Sequence, residues 1–102
     1  MNWTPVAKIG AIAEDEGLPL SLDGKEIALF HHDGAFFATD NVCTHQYALL
    51  TDGYVEDGCV ECPLHQAQFD LRTGEAKCAP ATEAIRVYPT KVENDDIYVC
   101  LD

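Results

Sequence analysis

"KEIALFHHDGAFFAT", residues 25–39, is a pair of apolar arms folded about Asp33-Gly34, and it sets the fold class of the chain. Asp-Gly between two such runs is a hairpin signal, because a two-residue hairpin turn needs positive φ and glycine adopts it without steric cost. The dipeptide recurs at Asp23-Gly24, Asp52-Gly53 and Asp57-Gly58. Four such signals predict antiparallel sheet. Further on, "IRVYPTKV" and "IYVCL" flank "ENDD" as another hairpin, both arms rich in β-branched and aromatic residues. No segment carries a long helical face. "PVAKIGAIAEDE" is the nearest to one, but Pro5 followed by Val-Ala-Lys-Ile suits an edge strand running into a loop. The expectation is an all-β chain of antiparallel sheets.

Its 102 residues make one domain with a modest core. Six Lys and Arg stand against 18 Asp and Glu, a formal charge of -12. That charge repels phosphate backbones and anionic lipid and favours partners with a basic face, so nucleic acid is not an expected ligand. The N-terminus lacks a basic start, and no apolar run approaches the roughly 18 residues of a membrane span. A soluble cytoplasmic chain, most simply a monomer, is expected. Five cysteines is an odd number, and in a reducing compartment paired cysteines are more often metal ligands than disulfides.

Outward from the hairpin lie two Cys/His pairs: Cys43 with His45 in "NVCTHQYALL", and Cys62 with His65 in "VECPLHQAQF". Sixteen residues, Gln46 to Glu61, separate them. With no linker or low-complexity tract in the chain, both pairs belong on loops between strands. Four such ligands can hold one tetrahedral zinc or a two-iron cluster. Zinc fingers tend to pair cysteine with cysteine and histidine with histidine, whereas each loop here supplies one thiolate and one imidazole. Two mixed pairs can place both thiolates on one iron and both imidazoles on the other, as in a Rieske [2Fe-2S] centre.

"CTH" and "CPLH" at this separation resemble the Rieske signature C-x-H, spacer, C-x-x-H, and "FDLRTGEA" with "CAPATEAIRVYP" is similar to Rieske ferredoxins of bacterial aromatic ring-hydroxylating dioxygenases. The resemblance implies a Rieske fold: antiparallel sheets forming a small sandwich or incomplete barrel. A two-loop cluster-binding subdomain at about 41–75 would be inserted in a β base of 1–40 and 76–102. It further implies one [2Fe-2S] cluster on Cys43, His45, Cys62 and His65, a flavoprotein ferredoxin reductase as electron donor and a terminal oxygenase as acceptor. The chain would be an electron carrier and not itself an enzyme: the cluster has no open coordination position, and neither a second metal constellation nor a nucleotide fingerprint appears. The alternatives are the Rieske-like small subunit of a nitrite reductase and a zinc-stabilised binding module.

Departures from the wider Rieske pattern bear on potential. Respiratory Rieske subunits carry an extra cysteine in each loop, where this chain has Ala48 and Leu64, and a serine and tyrosine donating to the cluster, where it has Ala67 and Phe69. Missing donors and added negative charge both disfavour the reduced state, so the resemblance places the potential near the low end of the Rieske range, roughly -150 mV. Gln46, Tyr47, Leu64 and Gln66, beside the two histidines, are the expected docking surface. His31 and His32 read as a solvated pair on a hairpin arm; Cys59, Cys78 and Cys100 as buried thiols, with Cys78 in "CAP" a packing neighbour of the iron site; and "EDE" and "ENDD" as solvated turns.

Overall fold

In the computed structural model, which describes residues 2–43, 48–63, 67–77 and 83–101, the hairpin of residues 25–40 is the middle layer of three. Residues 27–30 are buried on both faces. Because side chains alternate across a strand, Ile27 and Leu29 join one apolar cluster while Ala28 and Phe30 join another. Each fully buried Phe, Ile or Leu contributes roughly 1.5–3 kcal/mol, so this hairpin anchors both cores.

The strands, in chain order, are β1 (Trp3–Lys8), β2 (Gly17–Leu22), β3 (Lys25–His32), β4 (Ala35–Asp40), β5 (Tyr54–Glu56), β6 (Cys59–Glu61), β7 (Gln68–Asp70), β8 (Val87–Tyr88), β9 (Thr90–Glu93) and β10 (Asp96–Cys100). They form three antiparallel sheets, ordered β1-β10-β9, β2-β3-β4-β8 and β5-β6-β7. Ile97 and Val99 of β10 pack on Ile27, Leu29 and Ala38, which makes the first two sheets a sandwich. On the opposite face of the hairpin, Val60 of β6 and Phe69 of β7 pack with Ala28 and Phe30. The architecture is mostly β, with antiparallel sheets not closed into a barrel.

"PVAKIGAIAEDE" is a strand followed by one 3₁₀ turn, Ile9–Ala11. Pro5 is tolerated because β1 is an edge strand, and the register slips between Pro5 and Ala7. Asp23-Gly24, Asp33-Gly34 and Asp57-Gly58 are hairpin turns with both residues at positive φ, 50° and 78°, 53° and 75°, and 52° and 80°. The fourth hairpin uses Asn94 and Asp95, at 51° and 69°, a conformation Asn and Asp tolerate.

Four expectations need correction. Asp52-Gly53 is not a hairpin turn: it closes a 3₁₀ turn at Leu50–Asp52, and Gly53 has φ -96°. The glycine is there for space, since a Cβ would lie 1.9 Å from the Glu61 carbonyl oxygen. "IRVYPTKV" is not one arm but two, β8 in the second sheet and β9 in the first, divided at Pro89, which has no N–H to give to a ladder. His31 and His32 are half-buried and bonded rather than freely solvated. His31 stacks on Phe36 with ring centroids 4.5 Å apart and its Nδ1 lies 2.9 Å from the Ile12 carbonyl oxygen, while His32 Nδ1 lies 2.6 Å from Asp15 Oδ1. "EDE" is likewise a fastening: the Glu14 carboxylate accepts from the Asp33 and Gly34 amides at 2.5 and 3.4 Å, tying residues 12–16 to the hairpin tip.

Candidate metal centre

Two short loops are closed in the same way. In the first, the Cys43 amide donates to the Ala48 carbonyl at 2.9 Å; in the second, the Cys62 amide donates to the Ala67 carbonyl at 2.7 Å. Each cysteine therefore begins a loop whose sixth residue receives its N–H bond. Each also begins its loop inside the core: Cys43 is 4% exposed and Cys62 1%, and both belong to one apolar cluster with Ala48, Leu50, Ala67 and Phe69.

Different elements hold the two loop bases. The first rests on Asn41, fully buried, whose amide donates to the Glu26 carbonyl at 2.9 Å and whose carbonyl accepts from Leu50 at 2.7 Å. Its side chain donates to Thr51 Oγ1 at 3.1 Å and accepts from the Thr51 amide at 2.9 Å. A buried amide so fully paired is rigid, because breaking either bond strands a polar group away from water. The second loop connects β6 to β7, and Gln68 Nε2 donates to Glu61 Oε1 at 3.1 Å across its base. Behind β7, Gly74 at φ 80° lets the chain pass against Ile85, where a Cβ would meet the Ile85 carbonyl oxygen at 1.9 Å. The Ile85 amide donates to Gly74 and the Lys77 amide to Gln68, both at 2.8 Å.

The strand feeding the first loop is itself fastened. Tyr88 Oη donates to Asp40 Oδ1 at 2.5 Å, and burial, with that hydrogen bond and the negative carboxylate beside it, pushes the phenol up to about 12. The roles of Asn41 and Gly74 escaped the sequence reading, although they stand in the quoted "NVCTHQYALL" and "FDLRTGEA", and Gly53 was read there only as a turn residue. His45, His65, Gln46, Tyr47, Leu64, Gln66 and Cys78 lie outside the described residues. Cys100 is buried, as anticipated, but Cys59 is only half-buried.

The donor set fits a two-iron cluster. Cys43 and Cys62 are buried in one apolar cluster, where bound iron would hold them as thiolates, and an imidazole follows each at short spacing in the sequence. The group of Glu14, Asp15 and His32 is a separate cluster on the base, and no other trio of Cys, His, Asp or Glu comes together among the described residues.

Comparison with known proteins agrees. The Rieske [2Fe-2S] domain family matches residues 2–89, and the chain belongs to it. The ferredoxin component of the naphthalene 1,2-dioxygenase system of Pseudomonas putida is 46% identical over 94 residues, 92% of this chain and 90% of that one. The solved Sphingomonas yanoikuyae B1 ferredoxin superposes with TM-score 0.90 at 33% identity, covering 96% and 97% of the two chains. A ferredoxin solved in complex with the oxygenase of carbazole 1,9a-dioxygenase superposes with TM-score 0.90 at 26% identity, covering 95% and 91%. A chain described as a nitrite reductase small subunit shares the fold, with TM-score 0.88 over 98% and 99%, but at 19% identity that likeness shows the fold alone. Within the Rieske family this protein is therefore a ferredoxin component of the aromatic ring dioxygenase type, an electron carrier with one Rieske [2Fe-2S] cluster and not the oxygenating enzyme.

Proposed function

We propose that Cys43 and Cys62 supply the thiolates and His45 and His65 the imidazoles that hold the cluster, and that the protein carries electrons from a flavoprotein reductase to a terminal oxygenase. The observation that carries the ligand assignment is the like closure of two loops that bury Cys43 and Cys62 in one apolar cluster. When bound, the cluster supplies a one-electron couple with no open coordination position. The chain does the rest. Leu50, Phe69 and Ala67 keep water from the thiolate side, the Asn41 clamp fixes where the first loop leaves the sheet, and the hydrogen-bonded base of β6 and β7 fixes the second. Rigid loop bases keep the metal environment alike in both oxidation states.

The oxygenase as acceptor is supported by the relative solved in complex with one, and the reductase as donor by the kinship with dioxygenase ferredoxins. Gln46, Tyr47, Leu64 and Gln66, next to the histidines in sequence, form the contact tip. Residues 41–75 act as a cluster-binding subdomain on a β base, a division supported by the separate β5-β6-β7 sheet. No helix among the described residues is long and apolar enough to cross a membrane. The charge of -12 disfavours nucleic acid and anionic lipid as ligands, and the carrier is read as a cytoplasmic monomer.

Iron and acid-labile sulfide per chain, with an electron paramagnetic resonance spectrum after dithionite, test the ligand set. His45→Ala or His65→Ala should lose the Rieske signal and cluster iron. Joint replacement of His31 and His32 by alanine should keep both, and loss of cluster there would overturn the assignment.

A further inference from the structure

From the second residue of the central hairpin to the end of the small sheet the chain is without cations: residues 26–71 contain no Lys or Arg, yet they carry Glu26, Asp33, Asp40, Asp52, Glu56, Asp57, Glu61 and Asp70. The chain's six cations are already occupied, and of these acids only Asp70 pairs with one among the described ion pairs. Lys8 pairs with Asp96 at 2.6 Å, and Lys77 lies 3.9 Å from both Asp70 and Glu75. The other four sit over rings of the chain itself: Lys25 and Arg86 at Tyr88, Arg72 at Phe37, and Lys91 between Trp3 and Tyr98.

One face departs from this habit. On the β5-β6-β7 sheet the cross-strand register sets Tyr54, Glu61 and Gln68 in one row and Glu56, Cys59 and Asp70 in the next. The reverse face of the sheet buries Val60 and Phe69. Tyr54 is 69% exposed, the most exposed large apolar side chain among the described residues, and no cation of the chain lies over its ring among the described contacts. Glu56, Glu61 and Gln68 line the same shallow cleft, and Gln68 orients the Glu61 carboxylate. An open aromatic ring between carboxylates is the complement of a guanidinium or ammonium group, which stacks on the ring and pairs with the acids. Glu61 is also the residue before Cys62, so a partner seated here lies one residue from a thiolate ligand.

Resting on the carrier function proposed above, we propose that the Tyr54 face is the lateral docking surface for the terminal oxygenase, which places an arginine or lysine on the Tyr54 ring between Glu56 and Glu61. Oxygenase is the occupant because the solved relative is held by an oxygenase and because Glu56 and Glu61, which pair with no cation among the described ion pairs, select a basic partner. The reductase is the alternative occupant that the test separates.

The test uses the reduced holoprotein in stopped flow, with naphthalene 1,2-dioxygenase of Pseudomonas putida as oxidant and, separately, that system's reductase as donor. Tyr54→Ala should slow electron delivery to the dioxygenase about fivefold to tenfold in the second-order range, with paramagnetic resonance spectrum and midpoint unchanged. Tyr54→Phe keeps the ring and should stay within about twofold of the parent. The joint variant Glu56→Gln, Glu61→Gln should slow delivery and flatten its dependence on salt. Parent-like delivery by Tyr54→Ala and by the joint variant overturns the proposal while leaving the carrier function standing. Losses confined to the reductase reaction overturn the choice of occupant. A parent protein that holds no Rieske cluster, or delivers no electron to the dioxygenase, overturns the carrier reading and the docking surface with it.

Discussion

Ala67 and Phe69 show how single residues set the cluster environment. Both are completely buried in the same apolar cluster as Cys43 and Cys62, and neither carries the hydroxyl that the resemblance assigns to these positions in respiratory Rieske subunits. The Cys43 and Cys62 amides are occupied too, each spent on closing its own loop. A hydrogen bond to a charged acceptor is worth about 1.5–3 kcal/mol, and about 1.4 kcal/mol corresponds to roughly 59 mV for one electron. Each restored donor should therefore raise the midpoint by up to roughly 60–130 mV, less whatever the oxidised state also gains. Ala67→Ser and Phe69→Tyr, singly and together, measured by protein-film voltammetry, should move the potential upward from a parent value near the low end of the Rieske range. An unchanged midpoint in folded variants would assign the potential to charge and solvent exposure instead.

At the scale of elements, close backbone approach governs the cluster loops. The 3₁₀ turn at Leu50–Asp52 follows the first loop, and β6 leads into the second; Gly53 lets the two touch, since a Cβ there would stand 1.9 Å from the Glu61 carbonyl oxygen. Neither backbone can yield without moving Cys62 or the Asn41 clamp. Gly53→Ala should accordingly destabilise the fold by about 2–3 kcal/mol, the upper range for overpacking, and lower cluster content. Gly10→Ala is the control: nothing lies within 4 Å of its Cβ position, and its stability should stay within about 0.5 kcal/mol of the parent. Thermal denaturation and iron analysis read both. Equal effects would remove the backbone contact as the cause.

Over the whole molecule the charge of -12 acts through distance and salt. The Debye length shortens from roughly 30 Å at 0.01 M to 8 Å at 0.15 M, comparable with the radius of gyration of 12.6 Å. Self-repulsion then falls, while attraction to a basic partner falls with it. Raising salt over this range should raise the melting temperature by a few degrees, since about 1 kcal/mol is worth roughly 4–8 °C in a domain of this size, and should slow encounter with the oxygenase. A melting temperature that falls with salt would show that the carboxylates repel one another too weakly to matter.

Much of this protein could be read from the chain, because the signals are local. Positive φ at Asp-Gly is a two-residue property, so three of the four Asp-Gly dipeptides were legible as hairpin turns. Ligand spacing is also local: Cys43 and Cys62 each have a histidine within three positions, and that pattern led to the family before any coordinate did. What only the tertiary structure decided lies between segments distant in sequence. Asp52-Gly53 looks like its sister dipeptides until the Glu61 carbonyl is seen against it. His31, His32 and Glu14 look like solvated polar residues until residues 12–16 fold onto the hairpin tip. Pro89 looks like the middle of one strand until β8 and β9 enter different sheets. Tyr54 looks like any strand aromatic until its neighbours leave it uncovered. Backbone propensity and metal chemistry act over a few residues, whereas close approach, burial and charge compensation depend on what the rest of the chain brings alongside.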